Sequence, residues 1–512
     1  MTAPMNVLFL MTDQLAPHFL PAYGHRVVKT PRLDEIAEKS LIFDAHYSNS
    51  PLCVPARAGL MTGRMPSAID CFDSGCDYPF SVPTLAHYLR AGGYETVQSG
   101  KAHFIGPDQL HGLEKRLTID ICPSDNCWYG IWDDPDRILD WFHTLENVAT
   151  AGIAERSSQQ DHDFDAAHTA VRWLYDYARG PKQRPFFLKV SFTHPHDPYV
   201  TPPAYWNRYP DDEIDMPITP NIPVSDRDPH GQWLYRHYDR GEFEITDNHV
   251  RRARHGYYGS VSLVDDLVGQ VMDALTAARL DQNTIVVFTA DHGDMLGERG
   301  AWYKMSFYER SCRVPLMISI PGEVGGRRIS QCTSLIDLMP TLLDLTLDKG
   351  CADLVEPIEG RSLLSLVGGD ADGWDDQTRS EILFEGVSAP GLMIRRGSRK
   401  YVHWQGQPCS LFDLASDPEE SNNLVQHSEH QDEVAAFESQ VQREWPLEAL
   451  TERILIKQRR NALVHRALMT GQHTPFDFQP FDDASKRFYR GHGNWHEAEA
   501  RDFLRFDLPK KQ

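Results

Sequence analysis

The sequence lacks any apolar run long enough to cross a bilayer, and it carries few basic residues for its number of acidic ones. Spanning a membrane takes about 20 consecutive apolar residues, and no segment approaches that length. The chain has 51 lysines and arginines against 73 aspartates and glutamates, a net charge of −22. Because nucleic acids and anionic lipid surfaces attract basic proteins, this balance argues against both as general partners.

Two further absences concern targeting and cysteine pairing. The first residues have no basic stretch and no cleavage-like site of a secretory signal. The nine cysteines are scattered, and neither Cys71 with Cys76 nor Cys122 with Cys127 has the Cys-x-x-Cys spacing of a zinc ribbon. An odd count in a long chain is more typical of reduced thiols than of a disulfide framework. We therefore expect a soluble, cytoplasmic protein without membrane or nucleic-acid partners.

The chain reads as alternating strands and helices, which predicts an α/β fold. Apolar runs at 6–11, 185–192 and 284–290 predict buried strands that end in polar clusters, and helical patterns at 30–40, 81–93 and 247–280 lie between them. A glycine-rich and acidic stretch near 368–376 predicts a linker. After it, segments 381–387, 392–396 and 400–404 predict short antiparallel strands. At 512 residues we expect a main domain over 1–372, a small α+β domain over 373–450 and an extension over 451–512.

Acidic and histidine side chains follow two of the predicted strands. Asp13 and Gln14 come after the first strand, and Asp291 and His292 come after the strand at 284–290. Ligand sites of open α/β sheets collect at the carboxyl ends of strands. Oxygen ligands with one imidazole suit calcium, magnesium or manganese better than zinc. A single aspartate after a strand is often only a helix cap, so the prediction depends on the two clusters meeting.

Residues 50–64 contain the pattern Cys53-x-Pro55-Ala-Arg57 at the start of a small-residue helix. Proline suits a first helical turn because it needs no amide partner there. Helix-start amides and a nearby arginine together favour an anion. The alternative is a buried structural cysteine at a helix start, which is what most lone cysteines are.

Cationic and titratable side chains occur in three more polar segments. Each of these histidines taken alone is more often a hydrogen-bonded structural residue than a catalytic one. Together they match the needs of an ester cleavage in which negative charge develops on the transferred group and on the leaving oxygen. The candidates are Lys101, His103, His194 and Lys304.

These motifs, in this order, resemble those of type I sulfatases of the alkaline-phosphatase-like superfamily, across nearly the whole chain. The resemblance implies an alkaline-phosphatase-like mixed sheet flanked by helices. It also implies that Cys53 is oxidised by a formylglycine-generating enzyme to formylglycine, whose hydrate attacks a sulfate ester. Asp13, Gln14, Asp291, His292 and position 53 would then hold one divalent metal, calcium in first place, with magnesium or manganese as alternatives.

The same resemblance implies roles for the cationic residues. Arg57 would lie beside the diol, Lys101 would bind sulfate oxygens and His103 would act as the base that releases sulfate. Either His194 or Lys304 would act as general acid at the leaving oxygen.

Within this family the segments are most similar to those of bacterial choline sulfatases. Trp128, His143 and Glu385 correspond to the residues that hold the trimethylammonium group there, and Asn494 in the tail would help to close the pocket. A ring face with a carboxylate is suited to that group because it cannot donate N–H bonds. Core packing is an equal alternative for Trp128. Choline sulfate is the expected substrate, and an aryl sulfate or a phosphonate or phosphate monoester is the alternative. The resemblance also implies a homodimer or homotetramer in which the tail crosses a subunit boundary.

Overall fold

The computed structural model describes residues 4–480 apart from 135, 136, 138, 140, 141, 182, 183, 240, 241 and 473–475. The described strands are β1 Asn6–Thr12, β2 Leu41–Tyr47, β3 Glu95–Gly100, β4 Lys115–Arg116, β5 Gly152–Ile153, β6 Phe186–Ser191, β7 Val200–Thr201, β8 Thr284–Ala290, β9 Leu316–Ser319, β10 Arg328–Ser334, β11 Gln377–Ile382, β12 Gly391–Arg396, β13 Arg399–Trp404 and β14 Ser410–Asp413.

The described α-helices are α1 Pro31–Glu38, α2 Cys53–Thr62, α3 Leu85–Ala91, α4 Glu146–Ala149, α5 Ser158–Arg179, α6 Pro203–Trp206, α7 Pro229–Tyr238, α8 Asp247–Ala277, α9 Glu309–Cys312, α10 Leu338–Thr346, α11 Leu364–Val367, α12 Gln431–Glu444 and α13 Leu447–Leu468. In the part of the chain that the structure describes, no helix is both long and apolar enough to span a membrane.

A mixed sheet of eight strands forms the centre of the main body, in the order β10-β2-β9-β8-β1-β6-β3-β4. β1 pairs in parallel with both β6 and β8, and β3 pairs in parallel with β6. β9 is antiparallel to its two neighbours. β1, β6 and β8 are buried along their whole length, which explains their continuous apolar sequences. The mixed α/β fold expected from the sequence is confirmed.

A second sheet of four antiparallel strands, β11 to β14, follows. The prediction of a strand over 381–387 is wrong at its far end, because β11 ends at Ile382 and the chain then leaves the sheet. Gly386 has φ +76°, a left-handed conformation that breaks strand geometry. Glu385 is thereby removed from the sheet. The division at 372 and 450 stays a prediction, although the small sheet and α12 both lie within 373–450.

The described part of the extension packs against its own chain. α13 forms ion pairs from Lys457 to Asp77 and from Arg459 to Asp133. Beyond it, Asp477 accepts a hydrogen bond from Ser124 at 3.3 Å. The predicted contact of the tail with another subunit concerns residues that lie largely outside the described ones.

Candidate active site

The predicted site residues come together at the carboxyl ends of neighbouring parallel strands. Asp13 and Gln14 follow β1, Asp291 and His292 follow β8, and Lys101 follows β3. Because these strands run parallel in one sheet, in the order β8-β1-β6-β3, their carboxyl ends lie at one edge of the sheet, where ligands of such sheets bind.

Cys53 is the first residue of α2 and lies at the base of this cluster. Its Sγ is 3.2 Å from Nε2 of His292 and 3.7 Å from Oδ1 of Asp13. Burial, followed by the Asp13 carboxylate, raises the pKa of the Cys53 thiol. A buried, protonated thiol is a poor nucleophile. An unmodified cysteine at this position is therefore poorly suited to attack an ester.

Arg57, one turn further along α2, joins the two strand ends. Its Nε donates to Oδ2 of Asp291 at 2.8 Å, and its Nη2 donates to Oδ2 of Asp13 at 3.1 Å. The third nitrogen, Nη1, donates to the hydroxyl of Ser191 at 2.8 Å. The guanidinium is 2% exposed and has partners on several sides. It thus fixes both carboxylates and offsets their charge.

Four side chains form a buried cluster whose composition and spacing fit a divalent ion. One ligand atom from each of Asp13, Cys53, Asp291 and His292 lies within 4.8 Å of every other. Nε2 of His292 is 3.6 Å from Oδ1 of Asp13 and 3.7 Å from Oδ1 of Asp291. Calcium–oxygen bonds of about 2.3–2.6 Å place adjacent ligands of an octahedron about 3.3–3.7 Å apart, whereas magnesium needs a tighter shell. The residues present therefore fit a divalent ion of the kind that the resemblance implies.

Gln14 lies beside this cluster with its amide held at both ends. Its Nε2 donates to Oδ2 of Asp294 at 2.7 Å and to Oδ1 of Asp197 at 3.2 Å. Its Oε1 accepts from Nζ of Lys304 at 2.9 Å. Because the carboxylates of Asp294 and Asp197 accept hydrogen bonds, the amide nitrogen of Gln14 has to face them. Its oxygen therefore faces Lys304.

Lys101 and His103 lie on the loop after β3. Nζ of Lys101 is 2.6 Å from Oδ2 of Asp13. Asp120 accepts hydrogen bonds from the backbone nitrogens of Ala102 at 3.0 Å and His103 at 2.8 Å, which holds His103 at φ +59°. Burial and then the Lys101 charge lower the pKa of His103. Within the described residues neither ring nitrogen of His103 has a hydrogen-bond partner, so a neutral imidazole is open to a ligand.

The structure separates two histidines of the segment 193–198. His194 points away from the cavity, and its Nδ1 is 2.7 Å from Oδ2 of Asp163 on α5. His196 lines the cavity instead, with its Nε2 at 2.7 Å from Nζ of Lys304. Burial and then the Lys304 charge lower the pKa of His196 to about 3.

A cavity of about 320 Å³ opens above the cluster. Its lining includes Cys53, Lys101 and Lys304. It also includes the three residues chosen from the sequence for a cationic group, namely Trp128, His143 and Glu385. Asn494, predicted to help close the pocket, lies outside the described residues.

The cation-side residues are held by specific contacts. The Glu385 carboxylate accepts a hydrogen bond from the backbone nitrogen of Ser74 at 3.1 Å and is 5% exposed. The Trp128 ring packs edge-on to His103 with centroids 5.8 Å apart. His143 stacks on Tyr303 at 4.5 Å. The Trp128 ring and the Glu385 carboxylate thus line the same small cavity as Cys53.

Sequence reasoning missed His196, Asp120 and Asp197 among the residues at or beside the cavity. The pattern His194-Pro-His196 was visible, but nothing in it tells which ring faces the sheet edge. Asp197 also belongs to a second group with ligand atoms close together, with His143 and His196. Both nitrogens of His196 are engaged, by Lys304 and by the carbonyl of Asp197 at 2.8 Å, so this group is a hydrogen-bonded wall rather than a metal centre.

Three family models match the chain. "Sulfatase" matches residues 5–348, "N-sulphoglucosamine sulphohydrolase, C-terminal" matches residues 297–445, and "Choline sulfatase enzyme C terminal" matches residues 452–506. The first alone spans more than half of the sequence, and the third lies within the predicted extension.

Individual proteins agree with these models. The chain is 40% identical over 502 residues to a choline-sulfatase of Rhizobium meliloti, an alignment that covers 96% of this chain and 97% of the relative. It is 26% identical to an arylsulfatase of Clostridium perfringens, over 84% of this chain and 92% of that one. The crystal structure of a phosphonate monoester hydrolase of Agrobacterium radiobacter superposes with a TM-score of 0.69 at 25% identity, over 88% of this chain and 96% of that one. The chain therefore belongs to the sulfatase family and is a sulfuric ester hydrolase.

Proposed function

We propose that this sulfatase hydrolyses choline sulfate to choline and sulfate. The observation that carries the proposal is the pairing of Trp128 and Glu385 with Cys53 and Lys101 in one cavity. A quaternary ammonium is selected by an aromatic face and a carboxylate, because it has no N–H to donate. The choline-sulfatase relative of Rhizobium meliloti, similar over nearly the full length, supports the same substrate.

Two groups would complete the site. Formylglycine derived from Cys53 would supply the nucleophilic oxygen as its hydrate, and a divalent ion held by Asp13, Gln14, Asp291, His292 and position 53 would supply Lewis-acid stabilisation of charge. Calcium is the favoured ion on the spacing of the donor atoms. Maturation would need a formylglycine-generating enzyme as a partner.

The cationic and histidine side chains of this chain would then act on different parts of the reacting ester. Lys101 lies on the cavity wall beside Asp13 and would neutralise the sulfate oxygens. Arg57 would act mainly through Asp13 and Asp291, because three of its nitrogens already have partners. His103, neutral and with open ring nitrogens, would accept the proton when sulfate departs.

Lys304 is our choice for the group that protonates the leaving oxygen. Burial alone would lower the pKa of Lys304, but the nearby carboxylates of Asp197 and Asp13 raise it, so the ammonium stays charged. His196 carries no proton at Nε2 to give, since Nε2 accepts from Lys304 and its pKa is lowered. His196 would therefore orient Lys304, and His194 would support the loop through Asp163. An alkoxide is a poor leaving group, so this protonation matters most for alkyl esters.

Turnover measurements on choline sulfate, 4-nitrophenyl sulfate and a phenylphosphonate monoester test the proposal. We expect the highest kcat/KM with choline sulfate. The second candidate is an arylsulfatase or a phosphonate or phosphate monoester hydrolase, which the structural similarity to the phosphonate monoester hydrolase favours. A kcat/KM for either of the other two esters above that for choline sulfate would select it.

We further propose a homodimer or homotetramer in which the segment from about 451 to 512 packs across a subunit boundary, and in which Asn494 helps to close the cavity. Light scattering of the full chain beside a chain truncated after residue 480 tests this assembly. An unchanged mass and unchanged choline sulfate turnover would exclude both roles. The cytoplasmic location stays a prediction from the sequence.

A further inference from the structure

We propose that two buried amides of α13, Gln458 and Asn461, position the walls of the cation subsite and so set the preference for a cationic ester. This inference rests on the proposed choline sulfate activity. The two residues lie three positions apart, on one face of the helix. They are 4% and 3% exposed, on a helix whose outer face is largely charged.

Asn461 holds the loop of residues 73–77, called here the Glu385 support loop. Its Nδ2 donates to the backbone oxygen of Gly75 at 3.2 Å. One residue earlier in that loop, the backbone nitrogen of Ser74 donates to Oε2 of Glu385 at 3.1 Å. Asn461 is therefore linked to the Glu385 carboxylate through two hydrogen bonds, its own to Gly75 and that of the neighbouring Ser74.

The same loop lies directly against Trp128. A Cβ atom at Gly75 would be only 2.1 Å from the backbone oxygen of Trp128. The two backbones are thus in contact, and no side chain fits between them. Any displacement of Gly75 that follows the loss of the Asn461 bond is passed to Trp128 as well as to Glu385.

Gln458 binds the chain four residues beyond Trp128, at Trp132. Its Oε1 accepts a hydrogen bond from the backbone nitrogen of Trp132 at 2.8 Å. The indole nitrogen of Trp132 donates in turn to the backbone oxygen of Val387 at 2.9 Å. Val387 is two residues beyond Glu385 in the chain. Gln458 is therefore linked to the Glu385 segment through Trp132 and Val387, which is a second connection besides that of Asn461.

α13 also contacts this region through ion pairs, of which Lys457–Asp77 reaches the Glu385 support loop itself. Lys457 pairs with Asp77 and Arg459 with Asp133, and the Arg459–Asp133 pair is exposed on both sides. Exposed pairs contribute little to position, whereas a buried amide that loses its partner leaves an unsatisfied backbone group. Among the described residues, no hydrogen bond or ion pair joins α13 to the Asp13–Cys53–Asp291–His292 cluster or to Lys304. The amides therefore act first on the alcohol end of the substrate, and they reach the sulfate end only through the contact of Trp128 with His103.

The test uses the full chain with Asn461→Leu and Gln458→Met, which keep volume but remove the amide. Arg460→Ala, at an exposed position between them, is the matched control. For each variant we measure kcat and KM with choline sulfate and 4-nitrophenyl sulfate, and inhibition of 4-nitrophenyl sulfate turnover by choline. Since small misplacements of a binding wall cost large factors, we expect kcat/KM for choline sulfate to fall roughly tenfold, mainly through KM.

4-Nitrophenyl sulfate, whose alcohol part carries no positive charge, serves as the internal control. We expect kcat/KM for 4-nitrophenyl sulfate to stay within about twofold and the inhibition constant of choline to rise. Equal losses on both esters, or an unchanged KM for choline sulfate, would overturn the inference, and the two variants test it independently. A wild-type enzyme that does not turn over choline sulfate would instead overturn the proposed function, whatever the variants do.

Discussion

Nζ of Lys304 lies 2.7 Å from Nε2 of His196, while the ring of His194, two residues earlier, is bonded to Asp163 on α5. The histidine beside Lys304, the proposed general acid, is thus His196. Because the charge of Lys304 lowers the pKa of His196 further after burial, the lysine carries the proton of the pair.

Lys304→Ala should impair esters with poor leaving groups most, since protonation of the departing oxygen is what it removes. We expect a loss of roughly 10²-fold or more for the least reactive esters. The measurement is kcat/KM for a series of neutral aryl sulfates of graded phenol pKa, so that cation recognition plays no part. A loss that is the same across the series would contradict the assignment.

Cys53→Ala should reduce turnover by roughly three orders of magnitude or more, because it removes the precursor of the nucleophile. The melting temperature should change little, as the site forms a cavity floor. Mass spectrometry of the peptide that contains position 53 in active enzyme should show formylglycine. Fully active enzyme with only unmodified cysteine at this position would refute the assignment.

Asp291→Asn should weaken metal binding and activity together. Asp291 lies in the donor cluster and also fixes Arg57, so we expect metal affinity to fall roughly 10- to 100-fold. Elemental analysis after dialysis, with titration of calcium and manganese, measures this. Active wild-type enzyme without a stoichiometric divalent metal would exclude the site.

Acid should destabilise the fold through buried histidines. Burial lowers the pKa of His46 to about 3. It also lowers the pKa values of His25 and His111 to about 4. The folded state keeps these rings neutral, whereas the unfolded chain takes up protons below about pH 6.5, so stability is lost as pH falls from there toward the folded pKa values. His46→Gln should reduce the pH slope of unfolding free energy by about 1 kcal/mol per pH unit between about pH 6 and 4. The exposed His168→Gln is the control, and equal slopes in both variants would contradict the assignment.

The sequence predicted best those strands whose residues are apolar along the whole length. The strands at β1, β6 and β8 were found because each is buried along its length and therefore apolar throughout. β3 was not, because its sequence, Glu95 to Gly100, is mostly polar although most of it is buried. Some of its polar groups bond to neighbours that are distant in sequence, such as the Thr118 hydroxyl, which accepts from the nitrogen of Gly100, and no local pattern reveals them.

The site shows the same limit. Asp13 and Asp291 were found because they end apolar strands, and Cys53 because its motif is local. The choice between His194 and His196 depended on the path of a loop, and Asp120 acts on backbone groups 17 and 18 positions away. Such contacts depend on tertiary structure and leave no spacing in the sequence.

The measurement that tests the account most directly is the effect of Trp128→Ala and Glu385→Gln on kcat/KM for choline sulfate and for 4-nitrophenyl sulfate. Loss of a ring face or a carboxylate that holds a desolvated cation should cost about 1–2 kcal/mol, roughly tenfold, on choline sulfate. The neutral ester should be affected far less, because the sulfate end of the cavity is unchanged. Equal losses on the two esters would contradict recognition of a cationic alcohol in this cavity.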